Sequence, residues 1–416
     1  MSAVLRRPSW EPPVADPAFL DDPYPTYHAM RAAGPVLWSE QFYGGAWLLT
    51  RHADVERVLR DPRFAAQRTA GWAAGGDLRA FQPLFSRAML FLDGADHQRV
   101  RRVLQAGFRP EALQRLQPHI EQWVREALDG VRPADGFDFM HTLARPLPVS
   151  VITRLMGVEA AQAACFVQWS DDLAAFMGAL QPTHEQARRA TASLLALARY
   201  FEGVIAQRGA SPGDDLVGRL LQAQARGELE AGAELLSQCA MLLFAGHETT
   251  RHVLGNGLHA LMQHPEQWER LRREPELMGP AVREMLRYDS PVQYTGRRLT
   301  VDLEMHGLPL RRGDIVVPLI GAANRDPARF ARPDDFEVAR QDGHGLSFGA
   351  GPHVCIGAAL TMMEAQAVFR QLTARTPRLA WVAEASRRTG NPLYRGFAAL
   401  HVRQRAAVSP AAWPAA

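Results

Sequence analysis

The chain has 416 residues, with 47 basic against 44 acidic side chains and a formal charge of +3, too small to imply nucleic acid or an acidic membrane as a partner. Hydrophobic residues at 47% and charged residues at 22% are ordinary globular values, which supply a sizeable core and exclude disorder. No basic residue is lysine, and three cysteines are too few, and odd in number, for a disulfide scaffold; they fit a reducing compartment.

Residues 1–20 read as an irregular leader, because Pro8, Pro12, Pro13 and Pro17 oppose a helix. They contain no apolar signal-peptide core, and nowhere does an apolar run approach the roughly 20 residues of a bilayer span. A soluble, cytoplasmic protein is expected. Val36-Leu37-Trp38 and Trp47-Leu48-Leu49, either side of Gly44-Gly45, are strand candidates. From Asp54 to about Tyr288 apolar residues recur at three and four spacing, as in helices. Loops are marked at Asp61-Pro62, Gly71–Gly76, Gly209–Asp215 and Pro265. Arg298–Val317 alternates and contains Ile315-Val316-Val317, which predicts short strands. Helix returns after Cys355, and Leu393–Val402 is expected to close the chain as a small hairpin. The reading is one large domain over 21–405, mainly α with a minor β portion, followed by a flexible tail at 406–416.

Two segments depart from this ordinary pattern. From Glu234 to His264 the chain runs without proline before position 265, and a helix of that length crosses an entire domain. Its middle reads Ala245-Gly246-His247-Glu248-Thr249-Thr250, where glycine, acid and threonines oppose helix propensity and threonine can bond back one turn and distort the helix. The second segment is Leu346-Ser347-Phe348-Gly349-Ala350-Gly351-Pro352-His353-Val354-Cys355-Ile356-Gly357. Its glycines hold a cysteine in a tight loop that enters a helix, where N–H groups and the helix dipole lower a thiol pKa. A phosphate loop fails for want of its lysine and glycine spacing, and zinc for want of a second cysteine at C-x-x-C distance. A structural cysteine in a glycine-rich turn stays open on composition alone.

Phe348, Gly351, Cys355 and Gly357 match F-x-x-G-x-x-x-C-x-G, so the chain resembles the cytochrome P450 superfamily, in its soluble bacterial class I branch. Ala245–Thr250 matches that family's oxygen-binding helix, A-G-x-[DE]-T-[TS]. Its E-x-x-R signature falls at Glu284–Arg287, with Arg340 as third partner. The same string also occurs at Glu269–Arg272 and Glu337–Arg340, so position in the chain decides. The resemblance covers about residues 20–403. It implies a single-domain cytochrome P450 fold, with heme b between the long helix and the cysteine-loop helix.

By that resemblance Cys355 is the axial iron ligand, Phe348 packs beside it, and backbone N–H groups around Gly357 tune the sulfur. His97, Arg101, Arg297 and His353 are the implied partners of the heme propionates; His97 and Arg101 share a helix face at i,i+4, whereas Arg99 points off it. Ala245 contacts the cofactor, Gly246 makes room for oxygen, and Glu248 and Thr249 form an acid–alcohol pair, with the acid connected to solvent. That pair favours an oxygen-using monooxygenase over a peroxide-dependent one. No role is assigned to Arg251 and His252.

The chain has no length for a fused redox domain, so a separate ferredoxin and NAD(P)H-dependent reductase are implied. Arginines around Arg101–Arg109 and Arg340 are candidates for the docking face of an otherwise monomeric protein. The expected pocket draws on Met89-Leu90-Phe91, Trp169–Met177, Met241, Phe244, Val292-Gln293-Tyr294 and Leu393-Tyr394. Such a lining suits a medium-sized hydrophobic molecule, a terpenoid, steroid or polyketide, for hydroxylation or epoxidation. No arginine stands among these positions, which disfavours free fatty acids. Oxidative coupling, C–C cleavage, oxidation of a carrier-bound substrate and a non-catalytic heme sensor remain open alternatives.

Overall fold

The computed structural model describes residues 8–404 except 69–77, 79–80, 133, 210 and 377. The Gly71–Gly76 loop and the 406–416 tail therefore lie outside the described residues. The first segment is more ordered than its prolines suggest. Pro17 occupies the first turn of helix α1 (Pro17–Asp21), where its missing N–H costs nothing, and Asp16 caps that turn through the Ala18 N–H at 2.8 Å. Trp10 and Trp38 join the leader to the first sheet strand, with Trp10 N–H donating to the Trp38 carbonyl at 2.8 Å.

Strands β1 (Leu37–Ser39) and β2 (Ala46–Leu49) form the expected antiparallel pair, with Leu37 opposite Leu48. Helix α2 (His52–Arg60) and strand β3 (Phe64–Ala65) follow, then α3 (Gly94–Gln105). The helical body contains α4 (Pro146–Met156), α5 (Ala163–Gly178), α6 (His184–Arg208), α7 (Ala233–Gln263) and α8 (Met278–Tyr288). At about 1.5 Å per residue the 31 residues of α7 span roughly 46 Å. Strands β4 (Arg297–Leu299) and β5 (Ile315–Pro318) complete one five-stranded sheet in the order β1-β2-β5-β4-β3, with only β2 and β5 parallel. Between them Leu303–Met305 and Leu308–Leu310 make a hairpin. Its two-residue turn, His306-Gly307, has both φ values positive (50° and 77°), as a type I′ turn requires. Helix α9 (Ala358–Arg375) packs against α8 and α7.

The expected closing hairpin does not form. Phe397–Ala399 pairs with Arg387–Arg388, whereas His401–Gln404 pairs with Phe137–Asp138 and Leu379–Trp381. A single residue, Leu400, separates the two strands. That is too short for a reversal, so the chain runs on and each strand finds a distant partner.

Candidate active site

Helix α7 is buried along most of its length, but Ala245 is exposed and Thr249 half-exposed on one face. The two are one turn apart, and Thr249 Oγ1 donates to the Ala245 carbonyl at 3.3 Å. The helix runs through this motif without a break, contrary to the expected distortion. Gly246 serves close packing instead: a Cβ there would stand 2.8 Å from Ile152 of α4, so its missing side chain admits α4 rather than oxygen. Thr250 turns away from Thr249 and meets Thr361 of α9 at 3.2 Å.

Arg251 and His252 acquire a place. Arg251 Nη2 donates to Glu248 Oε1 at 2.7 Å and His252 Nε2 lies 3.3 Å from the same oxygen. Arg251 Nη1 continues to Asp171 of α5 at 2.7 Å, and Asp171 is 36% exposed. Burial alone would raise the Glu248 pKa, but Arg251 and His252 hold it down at about 2. Glu248 Oε2 has no partner. Glu248 itself is 1% exposed, and these contacts join it to the half-exposed Asp171.

A cavity of about 190 Å³ opens beside Thr249. Its apolar wall includes the expected Leu90, Met177, Met241, Phe244, Val292 and Leu393. Gln293 does not line it, because its side chain bonds Tyr27 and the Ser290 carbonyl; Phe91 is fully buried behind Arg68, and Trp169 packs on Phe166. Tyr43, Arg68 and Thr295 line it although the sequence reading missed them, and Arg68 removes the ground on which free acids were disfavoured. A second cavity, about 310 Å³, lies toward Asp171 and Asn391 and shares Glu248 and Tyr394 with the first. A third cleft, about 470 Å³, surrounds Asp289 and Arg395 and contains none of the expected site residues.

The cysteine loop is built as its glycines suggest. Gly349 and Gly351 take positive φ (73° and 69°), and a Cβ on Gly351 would stand 2.8 Å from the Arg60 backbone, so α2 and the loop could not approach. Cys355 N–H donates to the Phe348 carbonyl at 2.8 Å, and Phe348 is half-buried against the core. The Cys355 sulfur stands at the start of α9, with Gly357 its N-cap. Burial raises this thiol above its ordinary range, outweighing the N–H groups of Gly357 and Ala358 and the charge of Arg101. The expected lowering by the helix end is therefore present but does not prevail. Cys355 is surrounded by protein yet left exposed, as is Cys165, whereas Cys239 is fully buried.

Arg101 acts on this sulfur and forms one cluster with His97, His353 and Arg297. The two imidazole rings lie 4.1 Å apart, centre to centre, with their planes tilted by 41°, and His97 Nε2 is buried without a partner. Burial, then His353 and Arg101, push the His97 pKa down to about 4. Burial likewise lowers Arg297 to about 10; it bonds only the Thr295 hydroxyl and the Gly296 carbonyl, and no carboxylate of the described residues pairs with it or with Arg101. Asp93 is the one acid in reach, 3.5 Å from His353. One buried and one half-buried guanidinium without carboxylate partners among the described residues, close to an exposed thiol, fit a cofactor carrying two anionic arms and a metal with affinity for sulfur. Arg99 is spent elsewhere, forking to Glu234 of α7 at 2.7 and 2.9 Å.

The E-x-x-R strings separate once folded. Arg287 forks to Glu284 at 2.6 and 2.8 Å, both buried, and the half-buried Arg340 joins the same carboxylate at 3.1 Å. Glu269–Arg272 is an exposed pair at 3.0 Å. Arg340 is consumed by Glu284 and Asp342, so it is not available to a docking face.

The family profile described as Cytochrome P450 matches residues 149–374. The "Biotin biosynthesis cytochrome P450" of Bacillus subtilis is 33% identical over 367 residues, 88% of this chain and 92% of the relative. Among solved structures, CalO2 superposes with a TM-score of 0.86 at 34% identity, covering 96% of this chain and 99% of that one. P450BioI, solved with an acyl carrier protein ligated to hexadec-9Z-enoic acid, gives 0.85 at 32% identity over 93% and 99%. None of the described helices is long and apolar enough to cross a membrane. The chain belongs to the cytochrome P450 family, and is a monooxygenase that binds heme through a cysteine thiolate.

Proposed function

We propose that Cys355 supplies the thiolate, and that His97, Arg101, Arg297 and His353 hold the two propionates. Phe348, Gly357 and Ala245 bound the heme on its two sides. The bound heme supplies iron whose thiolate ligand favours O–O cleavage. The open Ala245–Thr249 face beside Glu248, whose Oε2 is free, carries the reading. The Thr249 hydroxyl, whose proton rests on the Ala245 carbonyl, turns it toward the cavity by rotating about its C–O bond. Glu248, held ionised by Arg251 and His252, offers Oε2 as a fixed acceptor for water that brings protons from the second cavity, and Asp171 anchors Arg251 in place. The apolar wall excludes bulk water and takes a medium-sized hydrophobic substrate, which is hydroxylated or epoxidised. Electrons come from a ferredoxin and its NAD(P)H-dependent reductase, in the cytoplasm. The exposed Arg102 and Arg109 support a docking face on the cysteine side.

Two variants test this. Cys355→Ala removes the thiolate position of the reduced, CO-bound Soret band; its retention would reject Cys355 as ligand. Thr249→Ala keeps heme and reduction but uncouples turnover, releasing peroxide and lowering product per NAD(P)H, since proton delivery is worth about 10²–10⁴-fold. Unchanged coupling would reject the acid–alcohol role.

A further inference from the structure

Arg68 is not explained by that mechanism. It follows β3 and lines the same cavity as Thr249. One Nη donates to the Ala66 carbonyl at 3.0 Å, and the guanidinium lies 4.9 Å over the buried Phe91 ring. Among the described residues no carboxylate pairs with it. Glu248, the carboxylate in this cavity's lining, gives Oε1 to Arg251 and His252 and makes no ion pair with Arg68. Tyr43, at positive φ in the β1–β2 turn, brings its hydroxyl to the same point. A Cβ on Gly296 would stand 3.2 Å from Arg68 Nε and 3.3 Å from Tyr43 Oη, so both donors converge over that bare glycine. The cavity is thus apolar along its wall with one uncompensated guanidinium and a phenol, the complement of a hydrocarbon body ending in an anion.

We propose that Arg68, with Tyr43, binds a carboxylate of the substrate, so the natural substrate is an amphipathic acid rather than a neutral molecule. The inference rests on the substrate cavity of the proposed function. The same chemistry has a second source, a heme propionate, because Arg68 adds its charge beside Arg297.

The test uses purified holoprotein and the shift of its ferric spectrum, titrated with dodecanoic acid and a tricyclic diterpenoid acid, each against its methyl ester. On the better-fitting scaffold the acid binds about tenfold or more tightly than the ester. Arg68→Leu abolishes that preference while heme content stays at the wild-type level; Arg68→Lys keeps part of it, and Tyr43→Phe loses a smaller factor. Wild-type protein that binds neither acid, or binds acid and ester alike, overturns the proposal. So does an acid preference that survives Arg68→Leu. Heme loss in Arg68→Leu and Arg68→Lys assigns the guanidinium to a propionate and also overturns it. The reduced, CO-bound spectrum of the wild type is recorded in parallel, and a missing thiolate band there would reject the proposed function instead.

Discussion

Arg287 and Arg297 are both buried, but the protein treats them differently. Arg287 meets Glu284 through two bonds and spends its other donors on the carbonyls of Asn324, Pro333 and Asp335 at 2.7–3.0 Å. Arg297 finds a hydroxyl and a carbonyl, no carboxylate, and like charge nearby in Arg68. Desolvating a guanidinium costs several kcal/mol unless an anion answers it. Where the chain provides the anion, the cluster belongs to the fold. Where it does not, the imbalance fits an anion supplied by a ligand, which is the ground of the role proposed for the four groups near Cys355.

The largest effect that would break this contrast is on the balanced side. Glu284→Gln leaves Arg287 and Arg340 without their anion, and should cost about 3–5 kcal/mol in urea unfolding, with or without heme. A midpoint within error of wild type would show that the carbonyls alone suffice. On the unbalanced side, Arg297→Leu should leave the heme-free protein as stable as wild type or more so, while heme transfer to apomyoglobin accelerates. Arg99→Ala, which disturbs a paired arginine, should leave that transfer rate unchanged. Equal heme loss in both would erase the distinction. The smallest effect concerns acid. Burial would raise Asp289, but Arg395 at 2.5 Å and Arg388 at 3.3 Å hold its pKa at about 2. Its folded pKa is below the unfolded value of about 3.9, so its stabilisation, roughly 2 kcal/mol, is present at neutral pH and lost as pH falls from about 4 to about 2. Asp289→Asn should remove it at neutral pH and flatten that window of the acid-unfolding curve; an unaltered slope would place the titration elsewhere.

Much of this was legible without coordinates. The cysteine loop, the Glu248-Thr249 pair and the long helix are local patterns, governed by glycine conformations and helical spacing within a few residues. The β1–β2 pair was legible for the same reason, since alternation and a glycine turn determine it. The short helix behind Pro17 was readable too, had the aspartate before it been weighed as a cap.

What the folded chain alone decided is which distant groups meet. Gly246 reads as an opening for oxygen until Ile152 fills the space, and Gln293 as a pocket residue until Tyr27 claims it. Arg251 and His252 became intelligible only through their shared carboxylate, and Arg68 only through its lack of one. The sequence by itself determined the backbone geometry of the loop and helix, because each residue's torsions and nearest hydrogen bonds act locally. Only tertiary structure decided which charges are balanced, because Coulomb and desolvation energies depend on spatial neighbours, and those came from segments far apart in the chain.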